Sequence, residues 1–191
     1  MASLKGTKTE QNLLKTFAGE SQARNRYDMF AAVAQSEGFE SISEIFAMTA
    51  LQEKEHAKRF FSFLEGGDVE ITAKYPAGKV ASTFENLKLA VDCERKESQV
   101  LYPQFAETAK AEGFDEIATA YSMIAISEIN HEKRYRKLLE NFEYQVSEKP
   151  DVSVWYCRNC GYVAKGDTVP EICPACLHSK EYFILQSEDS L

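Results

Sequence analysis

Apolar and polar residues alternate with helical spacing along four long segments of the chain. Apolar side chains recur every three or four residues in about residues 8–36, 43–65, 82–112 and 114–142, which is the spacing of one face of an α-helix. Each apolar stripe is interrupted near its centre by acidic or histidine side chains. The pattern therefore predicts four long helices whose inner faces are apolar at the ends and charged in the middle.

Glycine residues separate the four predicted helices. Gly38 lies between the first two, Gly66 and Gly67 follow the second, and Gly113 precedes the fourth; glycine commonly follows the last turn of a helix. The connection from Gly66 to about Ala81 is too long for a tight hairpin and suits a crossover between two helix pairs. A four-helix bundle with one long crossover has the ferritin-like topology.

The two halves of the predicted bundle repeat each other. Glu53-Lys54-Glu55-His56 parallels Glu128-Ile129-Asn130-His131 at an offset of 75 residues. The corner sequences Ala34–Phe39 and Ala109–Phe114 show the same offset. We therefore expect two similar helix hairpins.

The third helix is one residue longer than its counterpart in the first half. Glu20 and Glu94 are 74 residues apart, whereas Tyr27 and Tyr102 are 75 residues apart. The interval from Glu94 to Tyr102 thus holds one extra residue, and an extra residue within a helix predicts a π-bulge.

The charged centres of the stripes indicate a metal site. An ionised carboxylate is costly to bury without a cation, and the spacings of Glu-x-x-His and Glu-x-x-Glu place both members of a pair on one helix face. Lone glutamates from two helices with a Glu-x-x-His from each of the other two form the ligand set of dinuclear carboxylate sites. The sequence predicts two metal ions held by Glu20, Glu53, His56, Glu94, Glu97, Glu128 and His131.

One carboxylate of the Glu94 and Glu97 pair is surplus in this set. Four carboxylates neutralise the formal charge of two ferrous ions, and the harder ferric ions favour carboxylate over imidazole. We therefore expect Glu97 and His56 to compete for one iron, Glu97 in the oxidised state and His56 in the reduced state. A single Glu-x-x-His motif is more often a solvated pair, but two of them at one offset within apolar stripes favour metal binding.

Four further residues lie near the predicted ligands, and two of them have competing interpretations. Tyr27 and Tyr102 lie two turns after the lone glutamates of their helices, so each is either a core aromatic residue or a hydrogen-bond donor to a ligand carboxylate. Cys93 adjoins a predicted ligand and is interpreted as a small core residue. Arg24 is interpreted as facing solvent.

A second predicted domain follows a polar linker from Glu143 to Pro150, so we expect domains at 1–145 and 152–191. Its four cysteines form two Cys-x-x-Cys motifs with 12 residues between them, at Cys157, Cys160, Cys173 and Cys176. Such paired motifs indicate one metal ion in four thiolates, either zinc or iron. Gly161 and Pro174 allow backbone amides to approach the sulfurs, which tunes the potential of an iron site. A zinc site that only stabilises the domain is the alternative.

The amino-acid composition limits the classes of partner that the protein can bind and the compartment in which it is expected. Acidic residues exceed basic ones by 30 to 22, for a net charge of -8, which argues against nucleic-acid binding. The polar N-terminus, Met1–Gln11, and the lack of any run of 18 apolar residues predict a cytoplasmic protein without a membrane span. In a reducing compartment, paired cysteines point to metal rather than disulfides.

The whole chain resembles rubrerythrin. The resemblance is carried by Glu20 within Phe17–Arg24, by the Glu-x-x-His and Glu-x-x-Glu pairs, and by the rubredoxin-like cysteine motifs. It implies a mainly α fold, with a ferritin-like four-helix bundle and a small C-terminal rubredoxin-like domain of strands and turns. It also implies a non-sulfur di-iron centre, oxo-bridged when oxidised, and one Fe(Cys)4 iron.

The same resemblance implies a peroxidase that reduces hydrogen peroxide to water and protects against oxidative stress. Electrons would enter through the cysteine-bound iron from rubredoxin or an NAD(P)H-dependent reductase. The protein would be a head-to-tail homodimer in which the cysteine iron of one subunit serves the di-iron site of the other. We expect Glu97, His56, Tyr27 and Tyr102 to take part in catalysis.

Three other functions compete with the peroxidase at this stage. Iron storage needs a multi-subunit cage and has no use for the appended domain. A structural or regulatory protein would hold zinc in its cysteines. An oxidase that reduces dioxygen is the nearest alternative, because the same site can meet either oxidant.

Overall fold

The computed structural model describes residues 3–147 and 153–185, and the described chain is mainly α-helical, as predicted. The helices are α1 Lys8–Ser36, α2 Glu40–Phe61, α3 Thr83–Lys96, α4 Tyr102–Ala111 and α5 Asp115–Ser147. A π-helical segment, Glu97–Leu101, joins α3 to α4 without a break, so the five helices form the four rods of a bundle. No helix within the described residues is long and apolar enough to cross a membrane.

The π-helical segment confirms the predicted bulge between Glu94 and Tyr102. The backbone N–H of Tyr102 donates to the carbonyl of Glu97, which is a bond across five residues rather than four. The extra residue is therefore absorbed locally, and the predicted ligands before it and the tyrosine after it both face the bundle interior.

Two predicted helices had wrong bounds. α2 runs from Glu40 to Phe61 rather than over 43–65, because the Phe39 carbonyl already accepts hydrogen bonds from the next turn. α5 continues to Ser147 rather than dissolving after Asn141. The Phe142 ring packs on those of Phe39 and Phe84, with centroids 4.9 and 5.6 Å away, and this packing stabilises the helix beyond the apolar stripe.

The two hairpin corners have the same backbone geometry, which explains their sequence repeat. Gly38 and Gly113 have φ angles of 83° and 86°, a conformation that favours glycine. The N–H groups of Phe39 and Phe114 each donate over 2.8 Å to a carbonyl in the last turn of the preceding helix, as in a Schellman motif. Between the hairpins, the crossover from Ser62 to Ser82 contains neither helix nor strand.

Apolar clusters fill both ends of the bundle and leave a charged layer between them. One cluster contains Tyr27, Phe46 and Tyr135, and the other contains Phe60 and Tyr121. Along each rod, a glutamate separates the two clusters, and all four of these glutamates are fully buried: Glu20, Glu53, Glu94 and Glu128.

The described part of the C-terminal domain is a small antiparallel sheet with two cysteine turns. Its strands are β1 Ser153–Cys157, β2 Val163–Gly166 and β3 Phe183–Leu185, with β1 in the centre. Trp155 of β1 lies opposite Ala164 and Leu185 and packs with Phe183 on two of the cysteines. The predicted boundary at 145 lies within α5, and the one at 152 lies outside the described residues, so both stay predictions.

Candidate metal centres

Two groups of metal-binding side chains meet in the charged layer of the bundle. The first group contains Glu20, Glu53, His56 and Glu128, and the second contains Glu53, Glu94, Glu128 and His131. Within each group, one donor atom from every residue lies within 4.8 Å of the others. Glu53 and Glu128 belong to both groups, so their carboxylates lie between the two positions at which a cation would be held.

Each histidine points its Nδ1 atom at these shared carboxylates. His56 Nδ1 is 3.0 Å from Glu53 Oε2 and 2.9 Å from Glu128 Oε1. His131 Nδ1 is 3.1 Å from Glu53 Oε1 and 2.8 Å from Glu128 Oε2. The arrangement is therefore nearly two-fold symmetric, as the sequence repeat indicated.

The two imidazoles differ in the hydrogen-bond partners of their Nε2 atoms. His131 Nε2 lies 3.0 Å from Gln52 Oε1, and because that oxygen can only accept, Nε2 carries a hydrogen, which leaves Nδ1 as the atom that would bind a cation. The residue that corresponds to Gln52 in the second half is Ser127, and no such partner of His56 Nε2 occurs among the described residues. His131 is thus anchored, whereas His56, with 13% of its side chain exposed, is not.

The carboxylates fit a cation because several of their buried atoms have no other partner. Apart from the approaches of the two histidine Nδ1 atoms, no hydrogen bond among the described residues reaches Glu20 Oε2, Glu53 Oε1, Glu94 Oε2, either oxygen of Glu128, or His131 Nδ1. Buried acceptors without a donor are costly and rare. Their lone pairs converge on the two positions described above, and carboxylate and imidazole donors together suit iron.

The raised pKa values of the buried glutamates and of His131 also indicate that this layer requires positive charge. Burial, and then the charge of Glu53, raises the pKa of Glu94 to about 8. Burial lowers the pKa of His131, but hydrogen bonds with Glu128 and Glu53 outweigh it and raise that pKa to about 12. Burial also raises the pKa values of Glu20 and Glu97 well above the usual range. Without a metal, protons have to supply the charge that a cation would replace.

The two predicted tyrosines donate hydrogen bonds across the bundle rather than along their own helices. Tyr27 of α1 donates to Glu94 Oε1, and Tyr102 of α4 donates to Glu20 Oε1. Each hydroxyl is therefore bound to a glutamate of the opposite hairpin, which orients the carboxylate from outside the pair of cation positions.

Glu97 belongs to neither group of donors. It is half-buried at the first position of the π-helical segment, beside the site rather than in it. The described conformation thus holds His56 among the donors and Glu97 away from them, although the sequence placed both among the ligands.

Of the remaining residues, Cys93 is buried, as its interpretation as a core residue requires, and Arg24 is half-buried rather than facing solvent freely. The sequence interpretation missed Arg26, whose buried Nε and Nη1 atoms lack a partner among the described residues. Its charge lowers the pKa values of Glu97 and Cys93, although burial outweighs it in both. Its position between two singled-out residues, Glu20 and Tyr27, was the available signal.

The four cysteines of the C-terminal domain form a second centre. All four sulfurs lie within 4.8 Å of one another, with separations of 3.8 Å for Cys157 and Cys176 and 3.6 Å for Cys160 and Cys173. A tetrahedral ion with metal–sulfur bonds of about 2.3 Å needs sulfur separations of about 3.8 Å. The thiols are all free rather than disulfide-bonded, so the geometry fits one metal ion.

Backbone amides approach the sulfurs at equivalent points of both cysteine turns. The N–H of Tyr162 bonds to the Cys160 sulfur and the N–H of His178 to the Cys176 sulfur. The second bond is the main cause that lowers the pKa of Cys176 to about 6. Left-handed backbone at Gly161 and Leu177, with φ of 79° and 61°, turns these amides inward.

Comparison with known families matches both parts of the chain. The family model described as Rubrerythrin matches residues 11–139. The model described as Rubrerythrin, rubredoxin-like domain, matches residues 155–184. These spans contain every candidate ligand named above.

Similar proteins match over nearly the full length. A rubrerythrin of Porphyromonas gingivalis is 56% identical over 95% of this chain and 91% of its own length. A rubrerythrin of Nitratidesulfovibrio vulgaris is 52% identical over 97% of each chain. Among solved structures, fully reduced, all-ferrous nigerythrin has a TM-score of 0.64 and 27% identity, covering 96% of this chain and 91% of that one. These matches and the two donor clusters confirm the predicted fold class and the predicted cofactors, a di-iron centre and one cysteine-bound iron.

Proposed function

The chain belongs to the rubrerythrin family, and from that premise we propose that it is a peroxidase that reduces hydrogen peroxide to water. Two electrons and two protons convert each peroxide into two water molecules. The di-iron centre, when bound, supplies the two electrons at one place. The cysteine-bound iron of the C-terminal domain would transfer electrons from an NAD(P)H-dependent reductase or rubredoxin to the di-iron site and so reduce it again.

The observation that carries this proposal is the unequal support of the two histidines. Gln52 anchors His131, whereas His56 has no comparable partner among the described residues, and Glu97 lies outside both donor groups. A site with one fixed and one exchangeable imidazole can adapt its donors to a change of two electrons without moving the rest of the bundle. We propose that Glu97 and His56 are the exchanging pair.

The other donors would stay in place. Tyr27 and Tyr102 hold the Glu94 and Glu20 carboxylates by hydrogen bonds, so these two glutamates would each bind one ion. Glu53 and Glu128, which belong to both donor groups, would bridge the two ions.

We also propose a homodimer, because the bundle presents an apolar surface beside the metal site. The apolar surface consists of Met48 and Leu51 on α2 and Met123 and Ile126 on α5, with exposures of 41% to 62%. Exposed apolar residues gathered on a soluble helix pair favour a protein contact. The four residues are related by the same offset of 75 as the ligands, which suits a contact between copies around the site.

The position of the cysteine domain supports the head-to-tail arrangement. Arg158, next to Cys157, forms an ion pair with Glu44 in the second turn of α2. Glu44 precedes Glu53 by nine residues, about 14 Å along a helix. The cysteine iron of the same chain would therefore sit toward one end of the bundle, and a second copy could bring its own cysteine domain nearer.

The peroxidase is tested with the iron-loaded protein, reduced without oxygen and mixed rapidly with hydrogen peroxide or dioxygen. We expect the visible thiolate-to-iron bands to return faster with peroxide than with dioxygen. Faster return with dioxygen would identify an oxidase instead. Zinc in the cysteines would assign the domain a structural role.

The role of Glu97 is tested by Glu97→Ala, with the exposed Glu107→Ala as the control on the same rod. We expect at least tenfold slower turnover by Glu97→Ala and unchanged turnover by the control. Because each tenfold is about 1.4 kcal/mol of activation free energy, an unchanged rate would exclude a contribution from the Glu97 carboxylate.

A further inference from the structure

A cavity of about 220 Å³ lies beneath the crossover and beside the metal site. It is enclosed by Tyr75 and Pro76 of the crossover, Gly19 of α1, Cys93 of α3, and Glu97 and Leu101 of the π-helical segment. Two other cavities, one beside the C-terminal domain and one near Gly66, contain none of the predicted ligands in their walls. Of these three cavities, only the one beneath the crossover is therefore lined by a predicted metal ligand.

The inner wall of the cavity belongs to the metal site. Glu97, the glutamate that lies outside both donor groups, lines it, and so does Tyr102, whose hydroxyl donates to Glu20. A molecule in the cavity thus lies next to the residue that is proposed to exchange with His56.

The remaining walls suit a small uncharged molecule. Ala73, Pro76, Leu101 and Phe105 give the cavity a mainly apolar lining, which an ion would enter only at a large desolvation cost. Two lysines of the lining, Lys74 and Lys96, are exposed and mark the solvent side. Hydrogen peroxide, dioxygen and nitric oxide are neutral and have two heavy atoms, so all of them fit.

Tyr75 holds the crossover over the cavity. Its hydroxyl donates to the Lys15 backbone carbonyl over 2.8 Å, and its ring lies so close to α1 that a Cβ at Gly19 would be 3.7 Å from it. From Thr72 to Ser82, Tyr75 is the only residue that is not exposed. The crossover is therefore pinned to α1 at one point, which is also part of the cavity wall.

We propose that this cavity is the route by which a small neutral oxidant reaches the Glu97 side of the site, and that Tyr75 sets the size limit of the route. The identity of the oxidant rests on the proposed peroxidase function, but the route itself does not. Removal of the Tyr75 side chain opens the cavity, whereas a large side chain at the exposed lining position Ala73 fills it.

The native Cys93 thiol reports whether the cavity has been opened or filled. In the iron-loaded protein, the other four cysteines bind metal, so labelling by N-ethylmaleimide can be assigned to Cys93 by mass spectrometry. We expect Tyr75→Ala to label at least tenfold faster than the unmodified chain, and Ala73→Trp to label more slowly. The control is Val80→Ala, at an exposed crossover position outside the lining, with unchanged labelling.

The route is then tested by nitric oxide binding to the fully reduced protein in a stopped-flow spectrometer, a readout that needs no turnover. We expect association at least tenfold slower in Ala73→Trp and faster in Tyr75→Ala, with no change in Val80→Trp. Equal association rates in all variants would overturn the route, whatever the activity.

Substrate size separates the route from the reaction. If the protein is a peroxidase, Tyr75→Ala should raise turnover of tert-butyl hydroperoxide relative to hydrogen peroxide at least tenfold, while Tyr75→Phe, which keeps the ring, should change the ratio less. An unchanged ratio in Tyr75→Ala would overturn Tyr75 as the size limit. Altered nitric oxide rates without any peroxide turnover would support the route and reject the proposed function.

Discussion

At the scale of single residues, the hydrogen bonds behind the ligands determine how rigid each donor is. Tyr27, Tyr102 and Tyr135 are all fully buried, but only the first two donate to a site carboxylate. We expect Tyr27→Phe and Tyr102→Phe each to destabilise the metal-free protein by about 1–3 kcal/mol, the cost of leaving a buried acceptor unpaired. Urea unfolding measures this difference.

Tyr135→Phe is the matched control for the two tyrosine substitutions. The Tyr135 hydroxyl makes no hydrogen bond to a site carboxylate, and its neighbour is the neutral Thr49 hydroxyl, so its removal should destabilise the protein less than the other two substitutions. Equal losses of unfolding free energy in all three variants would show that the hydrogen bond to a carboxylate adds nothing beyond the loss of a buried hydroxyl.

Gln52 should control the affinity of the site through His131. Gln52→Leu removes the acceptor of His131 Nε2–H, which lies 3.0 Å away, and frees the ring to rotate. Loss of such an outer hydrogen bond typically weakens metal binding by about 10–100-fold. Competition with a chelator should show that loss for Gln52→Leu, and Gln52→Glu, which keeps an acceptor, should recover most of it; equal affinities in both variants would contradict the anchoring role.

The donors themselves were predictable from sequence, but their supports were not. Glu53, His56, Glu128 and His131 interrupt apolar stripes at a repeated offset, and that pattern has few explanations other than a cation. Gln52 neighbours a ligand but belongs to no repeat, because Ser127 stands at the corresponding position. A single polar residue on a helix carries no periodic signal, so its contact with His131 required the packed structure.

At the scale of elements, the π-helical segment allows Glu94 and Tyr102 to face the same interior. Insertion of an alanine after the exposed Val100 should rotate one side of the rod by about 100° relative to the other, because the π-helical segment has already absorbed one extra residue. Glu94 and Tyr102 can then no longer both reach the site. We expect iron content to fall to about the one ion of the cysteine domain, because the paired donors no longer converge.

Val100→Ala is the control for this insertion, because it alters the neighbouring side chain and keeps the register. It should retain the full iron content. Full iron content in the insertion variant would mean that the bundle absorbs a second extra residue and that the register of this rod does not position the donors.

The same elements show where sequence reasoning succeeds and where it fails. The one-residue difference between the two intervals located the π-helical segment, because register is a count and the repeat provided its reference. The end of α5 was wrong because Phe142 is stabilised by rings from other helices, which local periodicity does not include. The crossover has no periodicity at all, so neither its anchor at Tyr75 nor the cavity below it was predictable.

At the scale of the whole molecule, the charged layer makes stability depend on what compensates it. The pKa of Glu94 is raised by burial to about 8, and that of His56 is raised to about 10 by Glu128 and Glu53 against the effect of burial. A group whose pKa is raised on folding stabilises the protein fully below its unfolded pKa, and this contribution is lost as pH rises through the folded value. Both groups therefore destabilise the metal-free protein as pH rises.

We expect the melting temperature of the metal-free protein to fall between about pH 5 and pH 10, from the unfolded pKa of Glu94 to the folded pKa of His56. Glu53, whose pKa is lowered to about 2 by the two histidines against burial, acts in the opposite direction only in acid. Iron-loaded protein should keep its melting temperature over this range, because metal binding is favoured by deprotonated donors. If the melting temperatures of the two forms changed in parallel with pH, protons and metal would not compete for the donors. The stability of the bundle would then not depend on the charge of its central layer.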